Sequence, residues 1–296
     1  MKDMGLERFG VEKEIVYPRV EERNVFVDGI GAVDGYKAIV NADTGYVYDI
    51  ASKVYTIVRH EEVVDAVKAA LAEYRIEPKT FDVVLSGKHG ARLFVKTLWE
   101  ERVVSGDDIR LGMVVTNSYD RSMGIGASGF GLRLGCSNEM VFGKEIAFEY
   151  TMHTKNVKDR VAEIIPKVLD KLERVVEVIE LSMNELVSLA DVAKLIRALG
   201  LGKKMRERLF GLIAKYVDPE TAKLLRQEIV AIEEAERAEV LARLERLQEY
   251  EAPRWQTYNA FTELLTHHAG RNDAYTVYSW QKRVANELLA PVAVKI

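Results

Sequence analysis

The spacing of the apolar residues changes near residue 155, and that change fixes the fold class. Before it, apolar runs are short and are punctuated by glycine-bearing turns. Tyr36–Val40 and Tyr46–Asp49 flank Asp43-Thr44-Gly45, where glycine supplies the positive φ of a hairpin turn. FDVVLSGKHGARLFVKTLW reads as a second hairpin about Gly87-Lys88-His89-Gly90. Ile109–Val115 and Phe130–Leu134 predict two further strands, and Val25-Phe26-Val27 a short one. Turns are expected at Asp28-Gly29 and Asp34-Gly35, and Tyr55–Val58 reads as a strand or an extended lead-in. One helix interrupts the strands: in HEEVVDAVKAALAEY, Val63, Val67, Ala70, Leu71 and Tyr74 recur at helical spacing.

After residue 155 the period is helical. Val157, Val161, Ile164, Ile165, Val168, Leu172, Val175, Val176 and Ile179 form one stripe, which predicts a long amphipathic helix that Pro166 kinks or whose ladder it interrupts. Further helices are expected over 185–199, 203–216, 220–250, 254–268 and 275–290. The class is therefore α+β: an antiparallel, strand-rich N-terminal half with a β-β-β-α-like core and a long helix, then a helical C-terminal half. The regions 1–154 and 155–296 are expected to pack as one unit.

Charge and cysteine content exclude several classes. With 42 Lys and Arg against 46 Asp and Glu, the net charge is -4. No global positive field draws in a nucleic acid, so any such site must be a local patch. Cys136 is the single cysteine, which excludes an internal disulfide and a cysteine-built zinc site. MKDMGLERFGVEKE lacks the apolar centre of a signal peptide, and no run is long enough to span a bilayer. A cytoplasmic location with no membrane partner is expected, and the Glu, Lys and Arg bias resembles thermophile proteins.

No motif assigns a cofactor, metal or catalytic residue. Gly124-Ile125-Gly126-Ala127-Ser128-Gly129 spells GxGxxG, but a dinucleotide fold needs it at a strand-to-helix turn, and here a strand follows. The glycines at 124, 126, 129, 131 and 135 fit a bent sheet edge or close backbone approach. There is no GxxxxGK[ST] and no GxSxG, and His60, His89, His153, His267 and His268 form no metal-binding spacing. Basic residues carry more. Lys88, His89 and Arg92 cluster at a hairpin tip, Lys96 shares a strand face with Arg92, and Arg110, Arg121 and Arg133 follow. Such residues could line a groove that tracks phosphates. Acidic residues at 100, 101, 107, 108 and 120 are interleaved and favour ordinary solvated charge instead. Lys203, Lys204, Arg206 and Arg208 open a helix, and Trp255, Tyr258 and Phe261 share a helical side that fits core packing.

Four segments in order carry a family resemblance: NADTGYVYDIASKVYTIVRHEE, VVTNSYDRSMGIGASGFGLRLGCSNEMVFG, FEYTMHTKNVKDRV and WQTYNAFTELLTHH. They resemble phage- and plasmid-borne proteins grouped as a domain of unknown function. The matching residues are Asn117-Ser118 with Asp120, Arg133, Cys136-Ser137-Asn138, His153-Thr154, and Tyr258 to Glu263. The order of hairpin, antiparallel strands and long helix also resembles the β-β-β-α core of the eukaryotic-type single-strand annealing recombinases and their phage relatives. That resemblance implies a ring-forming homo-oligomer that binds single-stranded DNA along a basic groove and anneals strands without ATP. Lys88, His89, Arg92, Lys96, Arg110, Arg121 and Arg133 are the expected DNA contacts. Pairing of a glycine-rich sheet edge between subunits is the expected route to assembly. The alternatives are a non-catalytic scaffold or host-interaction protein of a phage or plasmid, and an enzyme on nucleic acid using Asp120, His153 or Asn138.

Overall fold

The computed structural model describes residues 15–104, 106–153, 157–235, 237–270 and 272–293. β1 (Val20–Val27), β2 (Gly31–Asn41) and β3 (Val47–Ser52) form a three-stranded antiparallel sheet. Its second turn is where the Asp43-Thr44-Gly45 chemistry puts it: Asn41 Oδ1 accepts from the Asp43 and Thr44 N–H groups, and Gly45 takes φ 71°. Tyr55–Val58 is the extended lead-in to α1 (His60–Glu73), not a strand. The expected turn at Asp34-Gly35 lies within β2, where Gly35 absorbs the irregularity at φ 88°.

A six-stranded antiparallel sheet follows, in the order β4 (Thr80–Ser86), β5 (Arg92–Val104), β6 (Asp107–Ser118), β7 (Ile125–Arg133), β8 (Asn138–Val141). After the short α2 (Lys144–Ala147), β9 (Phe148–Thr151) pairs with β7 as well. β5 and β6 are the longest pair, and their register slips between Leu98 and Glu100. Gly112 lies opposite that bulge, where an added Cβ would sit 1.8 Å from the Thr97 carbonyl oxygen. Only glycine lets the two backbones approach this closely.

Alternation along β5 assigns its side chains to two cores. Leu93 and Val95 join Met113, Val115, Ile125 and Ala127 beneath α1 and α3 (Val157–Leu169). Phe94 and Leu98 join Val114, Phe130 and Val141 on the opposite face. The helical half consists of α4 (Leu172–Met183), β10 (Leu186–Ser188), α5 (Leu189–Leu199), α6 (Lys203–Ile213), α7 (Pro219–Glu234), α8 (Arg237–Leu247), β11 (Glu251–Pro253), α9 (Arg254–His267), α10 (Ala274–Leu288) and α11 (Ala290–Ala293). Its largest core takes in Val104, Ile109, Leu111 and Met140 from the sheet and Phe142 just after β8, so strands and helices share one apolar interior. Thr154 and Lys155, at the expected boundary, lie outside the described residues.

Several expectations are corrected. The long helix is two: α3 ends at Leu169, and α4 starts at Leu172 after a turn in which the Asp170 N–H reaches the Pro166 carbonyl. A proline inside a helix removes one ladder bond and weakens the turns around it. The side chains of Val157 and Val161 lie outside the described residues. The segment 220–250 is likewise two helices, parted where Ala235 is extended at φ -87°, ψ 148°. Residues 186–188 form a strand paired with 251–253 before α5 begins. β8 and β9, four residues each, carry too short a pattern to be read.

The glycine-rich segment is not a sheet edge. It is β7, hydrogen-bonded to β6 on one side and to β8 and β9 on the other. Its glycines serve close packing: a Cβ on Gly129 would lie 2.9 Å from the Ala147 Cβ, and one on Gly131 would lie 2.9 Å from the Met140 methyl. The GxGxxG spelling therefore belongs to a central strand.

Gly112→Ala forces apart the β5 and β6 backbones. It is expected to cost about 3 kcal/mol or more by urea unfolding, while Gly135→Ala, with open space around it, changes stability by less than about 0.5 kcal/mol.

Candidate nucleic-acid interface

The face of the large sheet away from α1 and α3 carries a row of cations, each set over an aromatic ring. Arg92 on β5 places its guanidinium 4.8 Å from the Tyr275 ring centre. Lys96, four residues further along the strand on the same face, stands 5.5 Å from the Phe130 ring. Lys282 on α10 stands 3.4 Å from Phe148 and 5.2 Å from Tyr278. α10 reaches this face because Tyr278 packs edge-on against Phe94 and its hydroxyl meets the Ser128 hydroxyl at 3.0 Å. Burial pushes the Tyr278 hydroxyl up to about 12, so it remains a protonated phenol.

These cations differ in what balances them. Arg92 donates from Nε to Asp120 at 2.8 Å and from a terminal nitrogen to Asp273 at 3.2 Å. Lys96 is 2.6 Å from Glu139. Lys282 has no carboxylate within ion-pair distance among the described residues. Burial pushes its ammonium down to about 8. It faces an open cleft of about 380 Å³, bounded by Tyr150, Tyr275, Ser122 and Asn286, with Thr116 and Gly126 at its floor. A Cβ on Gly126 would press within 3.2 Å of the Phe148 ring, so glycine keeps the floor low.

Ser122, Met123 and Gly124 line the rim of the cleft, and the Asn117-Ser118 and Asp120 stretch leads into them. Ser118 Oγ donates to the Met123 carbonyl at 2.7 Å and accepts the Met123 N–H at 3.1 Å. Asp120 accepts from the Ser122 N–H and hydroxyl while holding Arg92. Asn117 points to the other face, where Nδ2 donates to the Val58 carbonyl at 2.9 Å and lies 3.1 Å from His60 Nδ1.

The sequence-derived contacts are dispersed. Arg92 and Lys96 share a face, as strand alternation requires. Lys88 and His89 turn toward the small sheet, with the Lys88 ammonium 4.6 Å from the Tyr46 ring and His89 4.7 Å from it. Arg110 pairs with Glu101, Arg121 with Asp49, and Arg133 with Asp107 at 2.5 Å. Each of these arginines is already balanced by a carboxylate, which lowers the local positive potential. Lys282, Tyr150, Tyr275 and Tyr278 were not picked out in the sequence. The signal was present: Tyr275, Tyr278 and Lys282 stand at i, i+3 and i+7, which is one side of a helix.

Asp120, His153 and Asn138 do not converge. His153 stacks on Tyr55 at 4.8 Å, with Nδ1 3.1 Å from the Thr56 carbonyl. Asn138 sits against α9, with Oδ1 3.1 Å from His267 Nε2. No hydrogen bond among the described residues joins any two of the three. No group of three or more His, Cys, Asp or Glu among the described residues is placed to hold a metal. No helix among them is long and apolar enough to cross a membrane.

The model of the family described as Domain of unknown function (DUF932) matches residues 47–287, and the chain belongs to that family. The match covers the large sheet, the cleft and α10 up to Glu287. No curated protein and no solved structure matches the chain.

His60 pins the same framework from beneath. It is fully buried, stacked on Tyr119 at 3.9 Å, with Nε2 3.0 Å from the Gly90 carbonyl. Nε2 carries the proton toward Gly90, Nδ1 accepts from Asn117, and the ring is neutral. Burial pulls its pKa down to about 4 from an ordinary 6.5. Above pH 6.5 neither state gains a proton. As pH falls below 6.5, the unfolded chain takes up a proton that the folded one refuses, so stability falls until about pH 4. The full loss is about 3 kcal/mol. Urea unfolding at pH 7.5 and 5 checks this: His60→Leu is less stable at pH 7.5 but loses less than the wild type on acidification.

Proposed function

We propose that this protein binds single-stranded DNA without ATP and promotes annealing of complementary strands as a homo-oligomer, in the setting of a phage or plasmid. The row of three cation-over-ring pairs on one sheet face carries the reading. Phe130 is buried in the sheet core, but Tyr275 and Phe148 are partly exposed, and such rings accept bases by stacking whatever their sequence while cations beside them meet the phosphates between bases. A base stacked by its face presents its pairing edge outward, which is what a second strand needs. The order of antiparallel strands with α3 across the opposite face also fits the core of annealing recombinases. β4 pairs with β5 alone among the described strands, so its free edge is the one suited to strand pairing between subunits.

Binding on this face draws unequally on its cations. Arg92 and Lys96 must exchange carboxylates for phosphates, which gains little net charge interaction. Lys282 has no carboxylate to give up. Those same ion pairs favour the second reading, a non-catalytic scaffold or host-interaction protein, in which the paired cations only hold strands and helices together.

Anisotropy titration of a thymidine oligonucleotide at low salt separates the two. Under the first reading the wild type binds, Lys282→Ala weakens binding about tenfold, and the salt slope falls by about one released counterion. An absence of binding at low salt removes the annealing reading. Affinity is also expected to fall as pH rises through about 8, because the Lys282 ammonium is then lost. Arg283, Glu287, Tyr150, Tyr275 and Tyr278 face the same cleft, so the Lys282→Ala variant is the reference against which that pH dependence is read. Annealing itself is measured with complementary oligonucleotides in ATP-free buffer, and assembly by light scattering.

A further inference from the structure

The cleft beside Lys282 is more than the end of a charged row. Its volume of about 380 Å³ lies at the small end of ligand sites, which run from about 300 to 1,000 Å³. On one wall Phe148 and Tyr150 stand two residues apart on β9, with rings nearly parallel at 11° and centres 5.9 Å apart. The Phe148 ring is already engaged by the Lys282 ammonium. Tyr150 is 59% exposed and closes no core, so a further flat ring can extend the stack. The opposite wall is α10, which brings Tyr275, Ser279 and Asn286 to the same space. An aromatic platform, a cation without a carboxylate and several neutral polar groups within one small volume suit a ligand that is part flat ring and part anion.

The charges lining the cleft narrow the anion. Lys282 and Arg283 contribute two positive charges and Glu287 one negative, a net of one positive. Arg283 is partly engaged with the Ala198 carbonyl at 3.2 Å. One net positive charge matches a phosphodiester, which carries a single negative charge. It is a poor match for a terminal phosphate, which carries about -1.5 to -2, and a worse one for a triphosphate, which Glu287 would repel. An internal nucleotide of a strand meets these terms, and a free nucleotide does not.

We infer that the cleft between β9 and α10 is a one-nucleotide subsite, which takes a single base on Tyr150 and its bridging phosphodiester at Lys282. This rests on the single-strand reading above and names the unit of the strand that the site recognises. The cleft then sets the register in which a strand lies on the sheet face.

The probes are thymidylyl-thymidine, which has two bases and one phosphodiester, thymidine triphosphate, and a longer thymidine oligonucleotide, each titrated into the full chain by calorimetry or NMR. Thymidylyl-thymidine is expected to bind saturably and more tightly than the triphosphate. Tyr150→Ala and Lys282→Met are each expected to weaken the dinucleotide by about tenfold. Tyr150 is exposed, so its variant keeps the fold, and circular dichroism verifies this for both. If the long oligonucleotide binds while the dinucleotide fails to bind, or binds equally well to both variants, the subsite is overturned and the strand reading stands on other residues. If the triphosphate binds more tightly than the dinucleotide, the cleft is a free-nucleotide site and the inference is overturned. If neither the dinucleotide nor the oligonucleotide binds, both readings fall together.

Discussion

Burial of both faces of the β5-β6-β7 meander is the constraint on which the rest of the structure depends. A twisted antiparallel sheet can leave one face to water, but β5 carries buried apolar side chains on both sides, with Leu93 and Val95 toward one and Phe94 and Leu98, alternating with the cations, toward the other. Each face must therefore be roofed. α1 and α3 roof the first, and Tyr278 of α10 reaches the second. The roof over the second face is partial. Where it stops, the ring of Phe148, the floor at Gly126 and the ammonium of Lys282 are left around an open cleft. The site is thus a by-product of how completely a helix covers a sheet.

Close backbone approach is the second device. Gly112 admits the β5 bulge, and Gly129 and Gly131 let Ala147 and Met140 lie against β7. Arg92 then ties three elements together: it grips Asp120 from the rim loop and Asp273, which accepts the first N–H groups of α10, while its guanidinium lies on Tyr275. A carboxylate that caps a helix and receives an arginine is held by two favourable terms at once. The same arrangement balances the Arg92 charge from two sides.

Much of the architecture was legible in the sequence. The two hairpins and α1 followed from turn chemistry and period, and the change of period at residue 155 separated strands from helices. What was not legible has physical causes. Pro166 sits inside α3, so the break at Asp170-Lys171 had no marker of its own, and the extended Ala235 lies in a stretch dense with helix formers. The glycines of β7 were ambiguous between edge and close packing, because a sequence gives composition but not the neighbour that needs the space. For the site, alternation correctly set Arg92 and Lys96 on one face. It could not reveal that carboxylates distant in sequence, Asp273 and Glu139, would balance them. The uncompensated cation came instead from α10, whose Tyr275, Tyr278 and Lys282 spacing had no visible destination until the sheet was in place.

That α10 closes the cleft has a consequence for the order in which the protein is made. The strands that form its floor leave the ribosome more than a hundred residues ahead of residues 274–288. Translation at about 5–20 residues per second leaves that interval open for roughly 7 to 30 seconds. During it the apolar face bearing Phe94, Leu98, Val114 and Phe130 has no Tyr278 against it. The nascent chain therefore carries a sticky sheet before it carries a site, and a ribosome stalled between residues 152 and 273 would hold a protein prone to aggregation and lacking its cleft.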